Sequence, residues 1–149
     1  MMYQHILMPY DGSALSDKAL NEGAALAKSG GAKITLMYVV TPHHLLIGGG
    51  REVPGLKRLE QQYAEEIGQE ARQMLDIARQ RIAATGVPVD VLLDHGTTPS
   101  ENIVEAARRL KCDLIMMASH GRRGVDGLVV GSQTMKVLGQ ASVPVLVVR

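Results

Sequence analysis

The sequence predicts a doubly wound α/β fold: a five-stranded parallel sheet in the order 3-2-1-4-5, with four helices covering its two faces. Short apolar runs alternate with helical patterns along the whole chain, which is typical of this architecture. Several runs are apolar at nearly every position, as in parallel strands that are buried on both sides. The 149 residues suit one domain and contain no internal repeat, so we expect a single domain over residues 1–149.

The first two predicted strands flank a helix. Residues 3–10 are apolar at their centre and predict a buried strand, which the turn-forming Asp11-Gly12-Ser13 ends. Residues 14–29 are rich in Ala and Leu and predict a helix, which stops at Gly30-Gly31. The second strand spans 33–40.

A long loop and a long helix follow. Prolines and glycines, including Gly48-Gly49-Gly50, predict a loop over residues 41–55, longer than most connections in compact domains. Residues 56–84 predict an amphipathic helix, because apolar side chains recur every three or four positions. The members of this apolar face are Leu59, Tyr63, Ile67, Ala71, Met74, Ala78 and Ile82.

The last third of the chain repeats the alternation. Residues 87–94 predict the third strand, 99–110 the third helix and 113–118 the fourth strand. Residues 131–140 predict the fourth helix, and the apolar run 143–148 predicts a fifth strand. In the order 3-2-1-4-5 this fifth strand lies at an edge of the sheet, where an uncovered apolar strand favours association. Pairing with the same strand of a second copy would be antiparallel; coverage by a loop of the same chain is the alternative.

Composition argues against several classes of protein. Sixteen Lys and Arg against fifteen Asp and Glu leave a net charge of +1, which gives no general attraction to nucleic acid or anionic membranes. The absence of Phe and Trp removes most stacking platforms for single-stranded nucleic acid. No window has the roughly 18 consecutive apolar residues of a membrane helix. The single Cys112 and the lack of a secretory signal pattern predict a cytoplasmic protein.

Glycines punctuate the segment between the fourth strand and the fourth helix, at positions 121, 124, 127 and 131. Such a loop can approach a phosphate closely, and the helix that opens at Gly131-Ser132 offers free N–H groups to an anion. The phosphate-binding signatures Gly-x4-Gly-Lys-Ser/Thr and Gly-x-Gly-x2-Gly do not occur. On spacing alone, a phosphate cradle and a purely structural loop both remain open.

The predicted topology places this loop beside a second polar turn. In open α/β sheets, ligands bind outside the carboxyl ends of the strands, where the strand order reverses. In the order 3-2-1-4-5 that crevice lies between strands 1 and 4. Strand 1 ends at Asp11 and strand 4 ends at the glycine loop, so we expect a site between them.

Motifs in four parts of the chain resemble the universal stress protein family. They are Ile6-Leu7-Met8-Pro9-Tyr10-Asp11-Gly12-Ser13, Gly96-x2-Pro99, Ser119-His120-Gly121-Arg122-Arg123-Gly124 with Val130-Gly131-Ser132, and Val143-Pro144-Val145-Leu146-Val147-Val148. The resemblance covers essentially the whole chain and implies a Rossmann-like sandwich related to the adenine nucleotide alpha hydrolases. Members of the family that bind ATP carry Gly-x2-Gly-x9-Gly-Ser/Thr. This chain has Ala118-x2-Gly121-x9-Gly131-Ser132, so alanine replaces the first glycine.

Matched residue by residue, the resemblance implies an ATP site. Asp11 and Val39 would line the adenine pocket beside Pro9, and Met117 and Ala118 would face the ribose. The phosphates would meet backbone N–H groups and one hydroxyl, from Gly121, Gly131, Ser132 and Gln133. The resemblance implies no catalytic residue and no metal held by the protein alone; Mg²⁺ would arrive with ATP.

Alternatives stay open for several of these residues. Asp11 and Ser132 could cap the first and fourth helices instead of, or as well as, binding nucleotide. Arg122 and Arg123 could reach terminal phosphates or remain solvated. His120 could contact the nucleotide or brace the turn. The pair His43-His44 is a weak metal signal, and solvation is the alternative.

The sequence therefore predicts a homodimeric, cytoplasmic, ATP-binding stress protein that pairs through Val143 to Val148 and regulates a protein partner of unknown identity. Two alternatives remain: a nucleotide-free dimerisation module, which Ala118 favours, and a slow ATP-hydrolysing enzyme. Asp11, Asp126 and His120 are the candidate bases for hydrolysis, and the sequence supports none of them further.

Overall fold

A computed structural model describes residues 2–42, 53–121 and 130–149. Every predicted strand and helix is found in these ranges. The strands are β1 (His5–Pro9), β2 (Lys33–Val40), β3 (Val89–His95), β4 (Leu114–Ala118) and β5 (Val145–Val148). The helices are α1 (Ala14–Gly30), α2 (Leu56–Ala83), α3 (Pro99–Arg109) and α4 (Ser132–Gln140). Among the described helices, none is both long and apolar enough to cross a membrane.

The strands form one parallel sheet in the order β3-β2-β1-β4-β5, which confirms the predicted fold class and strand order. Successive residues of β1 face opposite sides: Ile6 packs in a core with α1 and α2, whereas Leu7 packs in a core with α3 and α4. Both side chains are fully buried. The two-sided burial explains why the strands are apolar at consecutive positions.

Each of β3 and β5 begins two residues later than predicted, directly after a proline. β3 starts after Pro88 and β5 after Pro144. Proline has no N–H to donate to a ladder, although its carbonyl can still accept. Ile34 N donates to Pro88 O at 2.9 Å and Ile115 N donates to Pro144 O at 3.0 Å. Each proline therefore accepts the first hydrogen bond of its strand, and regular strand structure begins at the next residue.

The apolar face of α2 is buried over only part of its length. Ala71, Ala78 and Ile82 lie in the core, but Leu59 is 56% exposed and Tyr63 is 40% exposed. A helix of 28 residues is about 42 Å long, whereas the eight residues of β2 span about 26 Å. A helix this long cannot be covered by the sheet from end to end, and its N-terminal turns carry the exposed part of the predicted face.

Candidate functional site

A cavity of about 910 Å³ opens at the carboxyl ends of the central strands. Its walls come from β1, β2 and β4, the segments that follow them, and the N-terminal turns of α3 and α4. The cavity lies at the β1/β4 reversal of strand order, where the sequence predicts a site.

The structure brings the described members of the predicted site together around this cavity. Lining residues that the sequence analysis singled out are Pro9, Asp11, Val39, Met117, Ala118, His120, Gly121, Gly131, Ser132 and Gln133. Arg122, Arg123 and Asp126 lie outside the described residues, as do His43-His44, Gly48-Gly49-Gly50 and the glycines at 124 and 127.

Asp11 stands where the chain leaves the sheet and turns into α1. Tyr10 N donates to Met37 O at 2.9 Å, which holds this end of the chain to β2. The Asp11 Oδ1 atom accepts from Ser13 N at 3.0 Å. Ser13, not Asp11, is the N-cap of α1, because its Oγ accepts from Ser16 N at 3.2 Å. The capping alternative for Asp11 is therefore wrong: the carboxylate shapes the turn before the cap.

Gly121 lies directly against that carboxylate. A Cβ built on Gly121 would stand 2.5 Å from Asp11 Oδ2, closer than real Cβ atoms approach an oxygen. Any larger residue would push the carboxylate away from its present position.

Gly131 is the N-cap of α4, with φ −60°, so its conformation does not require glycine. Its surroundings are tight, because a Cβ would stand 3.2 Å from Ser119 O and 3.3 Å from His120 Cα, so these backbone atoms would have to shift by a few tenths of an ångström. Gly131 N donates to Ser119 O at 2.6 Å. The expectation that Gly131 offers its N–H to a phosphate is therefore changed: that group already bonds to the end of β4.

The backbone amides of Ser132 and Gln133 have no acceptor among the described residues. The first backbone bond of α4 runs from Met135 N to Gly131 O at 3.0 Å, so the amides of the preceding turn have no acceptor within the helix. Ser132 is the first helical residue, and no side chain in the described ranges caps α4. The capping alternative for Ser132 is therefore wrong, and its hydroxyl and amide both stand at the positive end of the helix dipole.

Ala118, which replaces the first motif glycine, fits the strand end without strain. It is the last residue of β4, and among the described non-glycine residues only Lys111 has a positive φ. The Ala118 carbonyl accepts from Thr134 Oγ1 at 3.1 Å in a buried hydrogen bond. The methyl group therefore sits on regular backbone that is tied to α4.

His120 contributes a polar atom to the site that no described residue satisfies. Its Nδ1 is buried, and it has no hydrogen-bond partner within the described parts of the chain. His120 lines the cavity between Ala118 and Gly121. An unpaired buried polar atom is costly unless a ligand or water satisfies it.

The cavity joins an apolar part to a polar part. Apolar lining comes from Met37 and Val39 of β2, Met117 of β4 and Ile103 of α3. Hydrogen-bonding groups come from Asp11, His120 and the first turn of α4. The arrangement can hold a flat apolar group that presents hydrogen-bond donors to a carboxylate, together with an anion at the helix N-terminus. Within the described ranges, no group of three or more His, Cys, Asp or Glu could hold a metal ion.

Sequence reasoning missed several lining residues. They are Tyr10, Ser16, Met37, Tyr38, Thr41, Pro42, Pro99, Ile103 and Thr134. A signal existed for some of them, since Thr41 and Pro42 directly follow β2 and Pro99 begins α3. Residues that follow parallel strands share the site's edge of the sheet. Ile103 had no such signal, because it lies inside a helix and reaches the cavity only through packing.

Comparisons with known proteins agree with this architecture. A universal stress protein of Thermus aquaticus, encoded in the 3′ region of a QAH/OAS sulfhydrylase gene, is 36% identical over 149 residues, covering 99% of this chain and all of the relative. The structure of UspA from Lactobacillus plantarum superposes with a TM-score of 0.85 at 24% identity, covering 100% of this chain and 99% of that one.

A universal stress protein from Archaeoglobus fulgidus, solved in complex with dAMP, has a TM-score of 0.68 at 23% identity, with full coverage of both chains. At that identity the likeness concerns the fold. The model of the universal stress protein family matches residues 2–149 of this chain. On that match, and on the fold and motifs described above, the chain belongs to the universal stress protein family.

Proposed function

We propose that this protein is a regulatory stress protein that binds ATP in the cavity beside Asp11. The observation that carries the proposal is the junction of an apolar cleft, an acceptor carboxylate and the free N-terminus of α4 in one cavity. Its volume of about 910 Å³ lies in the range of nucleotide-sized pockets. The A. fulgidus protein solved with dAMP has the same fold, which supports an adenine nucleotide as the ligand class.

The base and the phosphates have distinct partners in this proposal. The adenine lies against Val39 and Pro9, and its exocyclic amine donates to the Asp11 carboxylate, which can only accept. The ribose faces Met117 and Ala118. The phosphates take the amides of Ser132 and Gln133, with the Ser132 hydroxyl, as anions do at helix N-termini.

Three other groups complete the proposed contacts. Gly121 adds its backbone N–H to the phosphate contacts. The Nδ1 of His120, which has no partner in the described parts of the chain, forms a hydrogen bond with the nucleotide. Arg122 stays a predicted phosphate contact. Mg²⁺ arrives with the phosphates, since Mg²⁺ usually relies on phosphate oxygens and few protein ligands.

Regulation is proposed in preference to turnover. Hydrolysis needs a base that holds an attacking water in line with the terminal phosphate. Of the described lining residues, Asp11 and His120 carry the carboxylate and the imidazole, and Asp11 is assigned to the adenine. We therefore expect slow hydrolysis at most, and the occupied and empty states would differ in the surface shown to a cytoplasmic protein partner.

The test is titration of the purified protein with millimolar Mg-ATP, combined with native mass spectrometry of the protein as isolated. Bound ATP or AMP, or a saturable titration heat, supports the proposal. Absence of both would overturn it and leave the nucleotide-free interaction module. Multiple turnovers that disappear in Asp11→Ala would instead show an ATP-hydrolysing enzyme.

We also propose a homodimer that forms through the edge strand β5. Pro144 O and Val148 O accept hydrogen bonds on the side that faces β4. Because backbone groups alternate in direction along a strand, the N–H and C=O groups of Val145 and Val147 face the opposite edge. Leu146 is 44% exposed on the same strand. Antiparallel pairing with a second β5 would satisfy these backbone groups and cover apolar surface.

A further inference from the structure

The first turn of α4 is tied to the end of β4 at two points. Gly131 N donates to Ser119 O at 2.6 Å, and Thr134 Oγ1 donates to Ala118 O at 3.1 Å. The two acceptors are consecutive residues, the last residue of β4 and the one that follows it. Two anchors at neighbouring positions restrain the first turn of α4 incompletely, because rotation about the line that joins them stretches neither hydrogen bond.

A third hydrogen bond, from a different element, opposes this rotation at the N-terminus of the helix. Ser100 N, in the first turn of α3, donates to the Gln133 side-chain Oε1 at 3.0 Å. Gln133 lies in the first turn of α4, next to Ser132. Since a backbone N–H can only donate, this contact also fixes which end of the carboxamide faces α3.

The same bond caps the N-terminus of α3, which has no capping bond from its own N-cap side chain. Thr98 is the N-cap of α3, but its side chain makes no capping bond. Its carbonyl accepts from Glu101 N at 3.0 Å and from Asn102 N at 3.3 Å. Ser100 is completely buried, so its amide cannot hydrogen-bond to water. The Gln133 side chain provides the acceptor that replaces water.

We propose that Gln133 is a positioning residue for the nucleotide phosphates, in addition to offering its own backbone N–H. Its side chain joins the N-termini of α3 and α4 and thereby holds the free amides of α4 in one orientation before ligand arrives. This assignment rests on the proposed function. The Gln133 side chain should strengthen binding of the phosphates in particular, since amides that are already ordered lose less entropy when they bind phosphate.

The experiment compares Gln133→Met with wild type, because methionine keeps the length of the side chain and removes the strong acceptor. We expect the affinity for ATP to fall about three- to tenfold, the range of one lost hydrogen bond, while the affinity for adenosine stays unchanged. In the ligand-free protein, the Ser100 amide should exchange with solvent deuterium faster in this variant than in wild type.

Two further variants serve as rescue and control. Gln133→Glu keeps an acceptor for Ser100 N, so slow exchange of that amide should return. Its added charge repels phosphate, and its loss of ATP affinity should shrink with added salt, unlike that of Gln133→Met. Gln140→Met makes the same change at an exposed position of α4 and should leave binding and exchange as in wild type.

The outcomes separate the two proposals. If wild type binds neither ATP nor adenosine, the proposed function and this assignment both fail. If wild type binds ATP and Gln133→Met binds it equally well, only the positioning role is overturned. Equal losses of affinity for ATP and adenosine in Gln133→Met would also overturn it, because they would show a general structural role. Unchanged exchange of the Ser100 amide in this variant would overturn it too, because it would show that the side chain does not link the two helices.

Discussion

The carboxylate of Asp11 rests against Gly121 so closely that a single added carbon would stand 2.5 Å from its Oδ2 atom. These two residues lie in the segments that follow β1 and β4, and the parallel pairing of those strands brings them together. The contact joins the group assigned to the adenine with the loop assigned to the phosphates. Substitution of the glycine therefore tests the geometry of both.

Gly121→Ala should weaken adenine nucleotide binding by about tenfold, or roughly 1.4 kcal/mol, because the new methyl group displaces the Asp11 carboxylate. Calorimetric titration with ATP measures the loss. Gly139→Ala is the matched control, since a Cβ there meets no atom within 4 Å. It should leave binding intact and stabilise α4 by about 0.5–1 kcal/mol. Equal affinities for Gly121→Ala and wild type would contradict the assigned role of this contact.

Gly131→Val should abolish nucleotide binding while the fold persists. The Cβ would stand 3.2 Å from Ser119 O, and the two further methyl groups of valine must displace the strand end or the first turn of α4. Circular dichroism should retain the wild-type spectrum, and titration with ATP should give no heat. Wild-type affinity in this variant would show that the loop is purely structural.

Val147→Pro should yield a monomer of nearly wild-type stability. Proline removes an N–H that faces the free edge of β5, a position where a strand tolerates proline. Leu146→Pro removes an N–H that faces β4 and should lower the melting temperature instead. Sedimentation velocity and thermal melting read the two effects separately. A dimer that survives Val147→Pro would exclude the proposed pairing of edge strands.

His5 should make the protein less stable as the solution becomes acidic. Burial lowers the pKa of His5 below its usual value, and the Lys33 ammonium lowers it further. The neutral ring hydrogen-bonds Thr35 Oγ1, with 2.8 Å between Nε2 and the oxygen. The unfolded chain thus binds the proton more readily, so stability is full above about pH 6.5 and falls as pH decreases below it.

The measurement is urea denaturation of wild type and His5→Gln between pH 7 and pH 5. Wild type should lose more free energy of unfolding over this interval than the variant, which has no titrating ring at this position. Parallel pH profiles for the two proteins would count against a buried neutral His5.

Tyr10→Phe should destabilise the protein by about 1 kcal/mol at neutral pH, since it removes a hydrogen bond from a buried hydroxyl. Tyr10 Oη donates to Asp17 Oδ1 at 2.6 Å, and the same oxygen accepts from Arg81 Nη1 at 3.0 Å. Burial, with this bond to Asp17, raises the pKa of Tyr10 to about 12. Wild-type stability should therefore fall as pH rises from about 10 to about 12, where the folded protein resists losing the proton.

Urea denaturation across that alkaline range, run on both proteins, separates the contribution of Tyr10 from those of other alkaline groups. The difference in stability between wild type and Tyr10→Phe should shrink as the pH rises. A constant difference would mean that the Tyr10 hydroxyl does not titrate as its burial requires.

Much of the fold follows from local pattern. The runs around Ile6 to Met8 and Ile115 to Met117 are apolar at consecutive positions, which is a signal that neighbouring residues alone contain. Pro88 and Pro144 show a limit of this signal. The apolar runs that contain them look continuous, but β3 and β5 begin only after the prolines. Tyr63 shows a second limit of local pattern: periodicity defines a helix face, but it does not say where the sheet that covers this face ends.

The sequence by itself determined the alternation of strands and helices, the parallel sheet and the residues that gather at its carboxyl edge, because these depend on short-range periodicity and on chain connectivity. Only the tertiary structure decided which atoms meet there. It gave the cap of α1 to Ser13, directed the Gly131 amide to Ser119, and joined Ser100 to Gln133 across 33 positions of sequence. Hydrogen bonds require positions accurate to a few tenths of an ångström, and packing of whole elements sets those positions.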